Sequence, residues 1–160
     1  DAMAALEILS HIDAPARNDA LAEFHDKWRE DAIVIDKWLA LQATSSLPGA
    51  LDDVQALLTH EAFSIRIPNK VRALIGAFCN ANQVRFHAAD GSGYEFLADR
   101  VLELDALNPQ VAARLLGPLG PWRKFDAGRQ QKMKGQLQRI LDSEQTLSPD
   151  VFEIASKSLA

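Results

Sequence analysis

The sequence predicts an all-α fold built from about eight or nine short amphipathic helices joined by short turns. Three observations predict it. Apolar residues recur at helical spacing along nearly the whole chain. Helix-start signals recur, as a residue able to cap followed by proline at Asp13-Ala14-Pro15, Asn108-Pro109 and Ser148-Pro149. No stretch shows the strict alternation of a half-buried strand. Short turns make neighbouring helices antiparallel. One hairpin every roughly thirty to forty residues is the rhythm of an irregular α-solenoid of antiparallel helix pairs. A globular helical bundle fits the same periodicity.

Taken in order, Ala2 to Ile12 carries Ala5, Leu6, Leu9 and Ile12 on one stripe. Asp13 or Ala14 caps a second helix with Pro15 in its first turn, running to about Arg29 with Leu21, Phe24 and Trp28 aligned. Asp31 opens a third through Ile33, Val34, Trp38 and Leu41, which ends before the polar Ser45-Ser46-Leu47-Pro48-Gly49. A fourth holds Leu51, Val54, Leu57 and Leu58, and Asp52-Asp53 in its first turn complements the helix dipole. Ser64 to Pro68 is a loop with Ile67 biased to extended backbone by the proline that follows. Asn69 is placed to cap the next helix, whose apolar face is Val71, Leu74, Ile75 and Phe78. Asn80 to Val84 breaks it. Asp90-Gly91-Ser92-Gly93 is a tight turn, with Ser92 a cap for a helix to about Leu104. Asn108-Pro109 starts another with Val111, Leu115 and Leu116, and Gly117 to Pro121 weakens or kinks it. Asp126 caps a long helix through Met133, Leu137, Ile140 and Leu141. Ser148-Pro149 opens the last one, with Val151, Phe152, Ile154, Ala155 and Leu159.

Composition narrows the function classes. The 160 residues suffice for one domain with a substantial core, here 1–160, and 48% apolar against 24% charged residues is a globular balance. A net charge of −5 with no basic block argues against a nucleic-acid partner. No apolar run reaches the roughly twenty residues of a membrane helix, so no membrane partner is expected. No signal peptide is visible, and a lone Cys79 suits a reducing compartment as a small buried apolar residue, so a cytoplasmic location is expected. The opening Asp1-Ala2-Met3-Ala4-Ala5-Leu6 already reads as helix, as though the chain started inside a longer protein.

Familiar chemistry fails on spacing. His60-Glu61 begins a zinc-protease helix, but the second histidine that H-E-x-x-H requires is replaced by Ser64. His11, His25 and His87 share no ligand spacing and read as surface or edge histidines. Asp90-Gly91-Ser92-Gly93 lacks the strand, glycine spacing and lysine of a phosphate loop. No serine or cysteine nucleophile has an evident base. The remaining polar signal is a pair of arginines, Arg72 sharing a face with Ile75 and Cys79, and Arg114 one turn from Val111 and next to Leu115. A guanidinium in an apolar helix needs a partner, and its planar fork suits a carboxylate. A salt bridge to another helix, or a stem laid along apolar surface, is the plainer reading of each.

Five strings carry a resemblance: D-K-W-L-A-L-Q-A-T (Asp36 to Thr44), P-N-K-V-R-A-L-I-G-A-F (Pro68 to Phe78), F-H-A-A-D-G-S-G-Y-E-F-L (Phe86 to Leu97), N-P-Q-V-A-A-R-L (Asn108 to Leu115) and R-Q-Q-K-M (Arg129 to Met133). In this order they resemble the C-terminal helical domain of the bacterial aminopeptidase N family, the broad-specificity alanyl aminopeptidases among the zinc metallopeptidases. The resemblance spans the whole chain. It implies a HEAT/armadillo-like superhelical cap domain that closes over a thermolysin-like catalytic domain of the same polypeptide and encloses a chamber admitting peptide substrates. Zinc and the catalytic residues of such an enzyme lie in that catalytic domain, so this segment is expected to bind no cofactor and to be inactive alone. In the family, arginines of this domain face the chamber, and the matching positions are Arg72 in N-K-V-R and Arg114 in V-A-A-R, with Asn69 and Lys70 as weaker candidates. The reading in a different class is a free-standing helical-repeat scaffold that binds a protein or peptide in its groove.

Overall fold

The computed structural model describes all 160 residues, and every regular element is helical. The helices are α1 (Ala2–Leu9), α2 (Pro15–Trp28), α3 (Ala32–Ala43), α4 (Ala50–Leu57), α5 (Pro68–Val71), α6 (Ala77–Ala81), α7 (Gln83–Phe86), α8 (Ser92–Asp105), α9 (Pro109–Leu115), α10 (Ala127–Leu141) and α11 (Pro149–Leu159). A π-helical stretch, Arg72–Gly76, joins α5 to α6 without interruption, and two 3₁₀ turns, Gly117–Leu119 and Trp122–Lys124, fill the Gly/Pro-rich segment before α10. Chain contacts divide the molecule into two compact units, Asp1–Arg85 and Phe86–Ala160.

The first unit is laid around α3. Leu39 and Ala43 are fully buried on it, and it packs against α2, α4 and the α5–π–α6 helix. The Trp38 indole N–H donates to the Leu21 carbonyl at 3.0 Å, which pins α3 to α2 at one register. From the other side come Val71, Leu74, Ile75, Phe78 and Cys79, all at most 1% exposed. An i→i+5 stretch of this kind carries one extra residue in the turn. Here it sits where Leu74 and Ile75 enter the core and Arg72 stays outside. Asn82 ends α6 and is only 4% exposed. Its amide donates to the carbonyls of Ala43 at 2.9 Å and Ser45 at 2.8 Å, and its Oδ1 accepts from the Arg85 N–H at 3.2 Å.

The second unit packs α8 against α9 and α10, and α11 against α9 and α10. Its core is Tyr94, Leu97, Leu104, Leu116, Met133, Leu137 and Val151. Gly91 adopts φ 78°, the left-handed region that glycine enters without strain, and turns the chain into α8. Gly93 lies directly against the Phe86 backbone, where a Cβ would sit 2.8 Å from its carbonyl carbon.

Several local expectations hold. Asp31, Asn108, Asp126 and Ser148 each cap their helix through a side-chain oxygen that accepts the backbone N–H three residues on. Ile67 is extended, at φ −107° and ψ 108°. Others are corrected. Ile33 is 71% exposed and Ile12 47%, because Ile35 and Leu39 face the core from α3 and α1 ends at Leu9. Asn69 does not cap α5: the helix starts one residue earlier at Pro68, and the Asn69 side chain turns to Arg72. Ser92 does not cap α8 either. It is the first helical residue, and Asp90 Oδ1 accepts both its N–H at 2.9 Å and its hydroxyl at 2.7 Å.

Candidate functional site

The two arginines singled out by sequence both reach solvent. Arg72 leaves the start of the π stretch and is exposed, and its Nη2 donates to the Asn69 Oδ1 one turn earlier. Four further N–H groups of that guanidinium remain for other partners. Arg114, on the last turn of α9, is exposed and engages no carboxylate, while its neighbours Ala112 and Leu115 are buried. Neither is held in a salt bridge, so both are free to meet an anion. They belong to different units. Lys70, by contrast, is committed: its ammonium donates to Asp36 at 2.9 Å, with both side chains less than a quarter exposed.

Sequence reasoning missed a buried guanidinium in the first unit. Arg17 is 7% exposed. Its guanidinium donates to the Ser10 carbonyl at 3.1 Å, to Asn18 at 3.3 Å and to Asp53 at 3.1 Å. Asp53 therefore does more than complement the α4 dipole. Arg17 also lines a groove of about 640 Å³ whose lining comes from α2, α3, α4 and the turn after α4.

Three rings form the floor of that groove. His25 lies 5.0 Å from the Trp38 ring centroid and 4.7 Å from His60, edge to face, and His60 lies 5.3 Å from Trp38. His25 is not a surface histidine: it is 6% exposed. Its ring nitrogens stand 3.7 Å from Glu61 and 3.9 Å from Asp26, beyond hydrogen-bond reach. Burial first, and His25 second, hold the His60 pKa below the ordinary histidine value, against an opposing pull from Glu61. His60 Nδ1 accepts the Ala62 N–H at 3.0 Å, which leaves the proton of the neutral ring on Nε2.

In the second unit, His87 is half-buried rather than at the surface. It stacks on Phe125 at 4.4 Å and lies 2.7 Å from the Tyr94 hydroxyl through Nδ1. Burial, and then the Arg129 guanidinium, hold its pKa low. Arg129 donates to the His87 carbonyl at 2.8 Å and to Asp126 at 2.9 Å, which ties the start of α10 to the segment before α8. Cys79 is 1% exposed without a charged neighbour, so burial pushes its thiol far up and it is no nucleophile. No group of three or more His, Cys, Asp and Glu side chains is arranged to hold a metal ion, so these residues do not fit a zinc site. No helix is long and apolar enough to cross a membrane.

Comparison with known proteins agrees with this architecture. A family model described as "Domain of unknown function (DUF3458_C) ARM repeats" matches residues 1–160. Aminopeptidase N of Escherichia coli (strain K12) is 44% identical over 160 residues, which is 100% of this chain and 18% of that protein. Aminopeptidase N of Haemophilus influenzae is 44% identical over 159 residues, 99% of this chain and 18% of its own length. A crystal structure of Legionella pneumophila aminopeptidase A in complex with aspartic acid superposes with a TM-score of 0.91 at 34% identity, covering 98% of this chain and 18% of that one. The chain thus spans under a fifth of the length of the relatives it matches. Helices that pack on their near neighbours in sequence are what stacked helical repeats require, and the match runs from end to end: the chain belongs to the DUF3458_C family of ARM-repeat domains, the helical region that aminopeptidase N carries at its C-terminal end.

Proposed function

We propose that this chain is the C-terminal cap domain of a zinc aminopeptidase, a hydrolase that removes N-terminal residues from peptides. The observation that carries the reading is the end-to-end match at 44% identity to a segment of aminopeptidase N. On this reading the cap closes a chamber over the catalytic domain of the same polypeptide, controls the access of peptides, and is inactive by itself. Zinc sits in that catalytic domain, on residues outside this segment. The exposed arginines take the peptide's carboxyl side. Arg114 has no internal partner and Arg72 has one neutral partner, so each can give a charge-assisted hydrogen bond to a carboxylate or a peptide carbonyl without first breaking an ion pair. A net charge of −5 leaves a general pull on anions weak, so such contacts must be made locally.

The test is Arg114→Ala and Arg72→Ala in the full-length enzyme, assayed on a tripeptide and on an alanine chromogenic amide that has no residue beyond the scissile bond. A charge-assisted hydrogen bond is worth about 1.5–3 kcal/mol, and a tenfold change is about 1.4 kcal/mol. The expected loss in kcat/KM on the tripeptide is therefore about ten- to a hundredfold, with the amide unchanged within about twofold. Equal losses on the two substrates, or none on either, would remove the arginines from substrate binding. Absence of zinc-dependent aminopeptidase activity in the full-length protein would overturn the reading as a whole.

A further inference from the structure

We infer that Asn69 is a positioning residue for the Arg72 guanidinium: it aims the cation without neutralising it. The inference rests on the reading of Arg72 as a contact to the peptide's carboxyl side, and deepens it. Asn69 acts through Arg72 and is not itself a ligand of the peptide. The turn that carries the pair is anchored. Pro68 takes the first helical position, Val71 is 1% exposed, and Lys70 donates to Asp36 at 2.9 Å with both side chains less than a quarter exposed. The Asn69 side chain has no other task. Ile67 holds the cap position of the helix, and the only hydrogen bond of the Asn69 side chain is the one its Oδ1 accepts from Arg72 Nη2. The partner is also neutral. In the same unit Arg17 and Arg29 pair with carboxylates at 3.1 and 2.8 Å, whereas Arg72 meets an amide.

The choice of an amide matters chemically. An amide oxygen fixes the direction of a guanidinium and leaves its charge whole. A carboxylate in that place would fix the direction equally well, but it would cancel the charge and compete with the ligand for the planar fork. A long arginine side chain at the surface also loses rotamer freedom when it binds. An acceptor one turn earlier removes part of that freedom beforehand, so less is lost when the peptide arrives. Helix stability favours the opposite choice, because a negative charge in the first turn complements the helix dipole. Asparagine at this position therefore serves the arginine rather than the helix.

The experiment compares Asn69→Asp, Asn69→Ala, Arg72→Ala and the double variant Asn69→Ala with Arg72→Ala in the full-length enzyme. Each is read in two ways: as kcat/KM for a tripeptide divided by that for an alanine chromogenic amide, and as the thermal midpoint. Asn69→Asp keeps its midpoint at or above that of the wild type, since the new charge suits the helix start. Its tripeptide ratio falls about tenfold, mainly through KM, because Arg72 is now held in an ion pair. Asn69→Ala lowers the ratio about three- to tenfold, the worth of one orienting hydrogen bond. In the Arg72→Ala background Asn69→Ala adds nothing, since no guanidinium is left to aim. A merely structural asparagine would move the midpoint and leave the ratio alone. If Arg72→Ala lowers the ratio but Asn69→Asp does not, or if the loss in Asn69→Ala persists in full without Arg72, the positioning role is overturned while Arg72 stands as a substrate contact. If Arg72→Ala leaves the ratio unchanged, the underlying reading fails and this inference fails with it.

Discussion

Replacing Asn82 tests whether one buried amide holds the first unit together. Its side chain makes three hydrogen bonds, two as donor to the Ala43 and Ser45 carbonyls and one as acceptor from the Arg85 N–H, at 4% exposure. Asn82→Ala removes all three and leaves two carbonyls and an amide of the main chain to find other partners. At about 1 kcal/mol net per bond, the loss is about 3 kcal/mol, which is a large part of a typical folding free energy of about 5–15 kcal/mol. Asn82→Asp is nearly the same shape but worse in kind. It turns the donor face into oxygen 2.8–2.9 Å from two carbonyl oxygens. The carboxyl must then either bury a charge without a cation or stay protonated and satisfy only one carbonyl. The expected order of stability is wild type, then Asn82→Ala, then Asn82→Asp, read as urea midpoints at pH 7 by circular dichroism with unchanged slope. If Asn82→Asp is as stable as the wild type, or more stable than Asn82→Ala, the reasoning from buried acceptors is wrong.

Gly93→Ala should cost about 3 kcal/mol or more, the upper end for overpacking, because the new Cβ meets Phe86 main-chain atoms at 2.8 and 2.9 Å and its carbonyl oxygen closer still; a thermal midpoint within a degree of the wild type would refute it. Stability should also fall as pH is lowered from about 7 to 5. His60 and His87 both have folded pKa values held below the ordinary value near 6.5, so the unfolded chain takes up protons first and the stabilising difference is lost as pH drops through the folded values. Urea titrations across that range should show the slope, and His60→Gln with His87→Gln should flatten it; an unchanged slope in the double variant would assign it to other groups.

Local chemistry was legible in the sequence and distant chemistry was not. Asp31, Asn108, Asp126 and Ser148 could be identified as caps because cap and partner lie three residues apart. The buried faces of α10 and of the helix from Pro68 follow from spacing alone. Arg17, His25 and Asn82 escaped notice because their partners are set by the tertiary fold: Asp53 is 36 residues from Arg17, and Ala43 is 39 from Asn82. A charged residue on an apparently polar helix such as α2 carries no local sign of burial. The cap expected at Asn69 lies two residues earlier, at Ile67, because Pro68 takes the first helical position, and the one expected at Ser92 lies one residue earlier, at Gly91. Arg72 and Arg114 were visible as helical arginines, and the fold adds that both are left without an ion pair.

The π-helical stretch at Arg72–Gly76 makes this segment the point of the chain most open to evolutionary adjustment. An extra residue in a helix is absorbed as an i→i+5 turn, and its removal restores ordinary i→i+4 winding. Loss of Ala73 would thus leave Val71 and Arg72 on one side of the stretch, and Phe78 and Cys79 on the other, on the faces they already hold. A single-codon deletion there would be absorbed by the change of winding, whereas the same deletion within α8 or α10 would turn one half of a buried stripe by about 100° toward water.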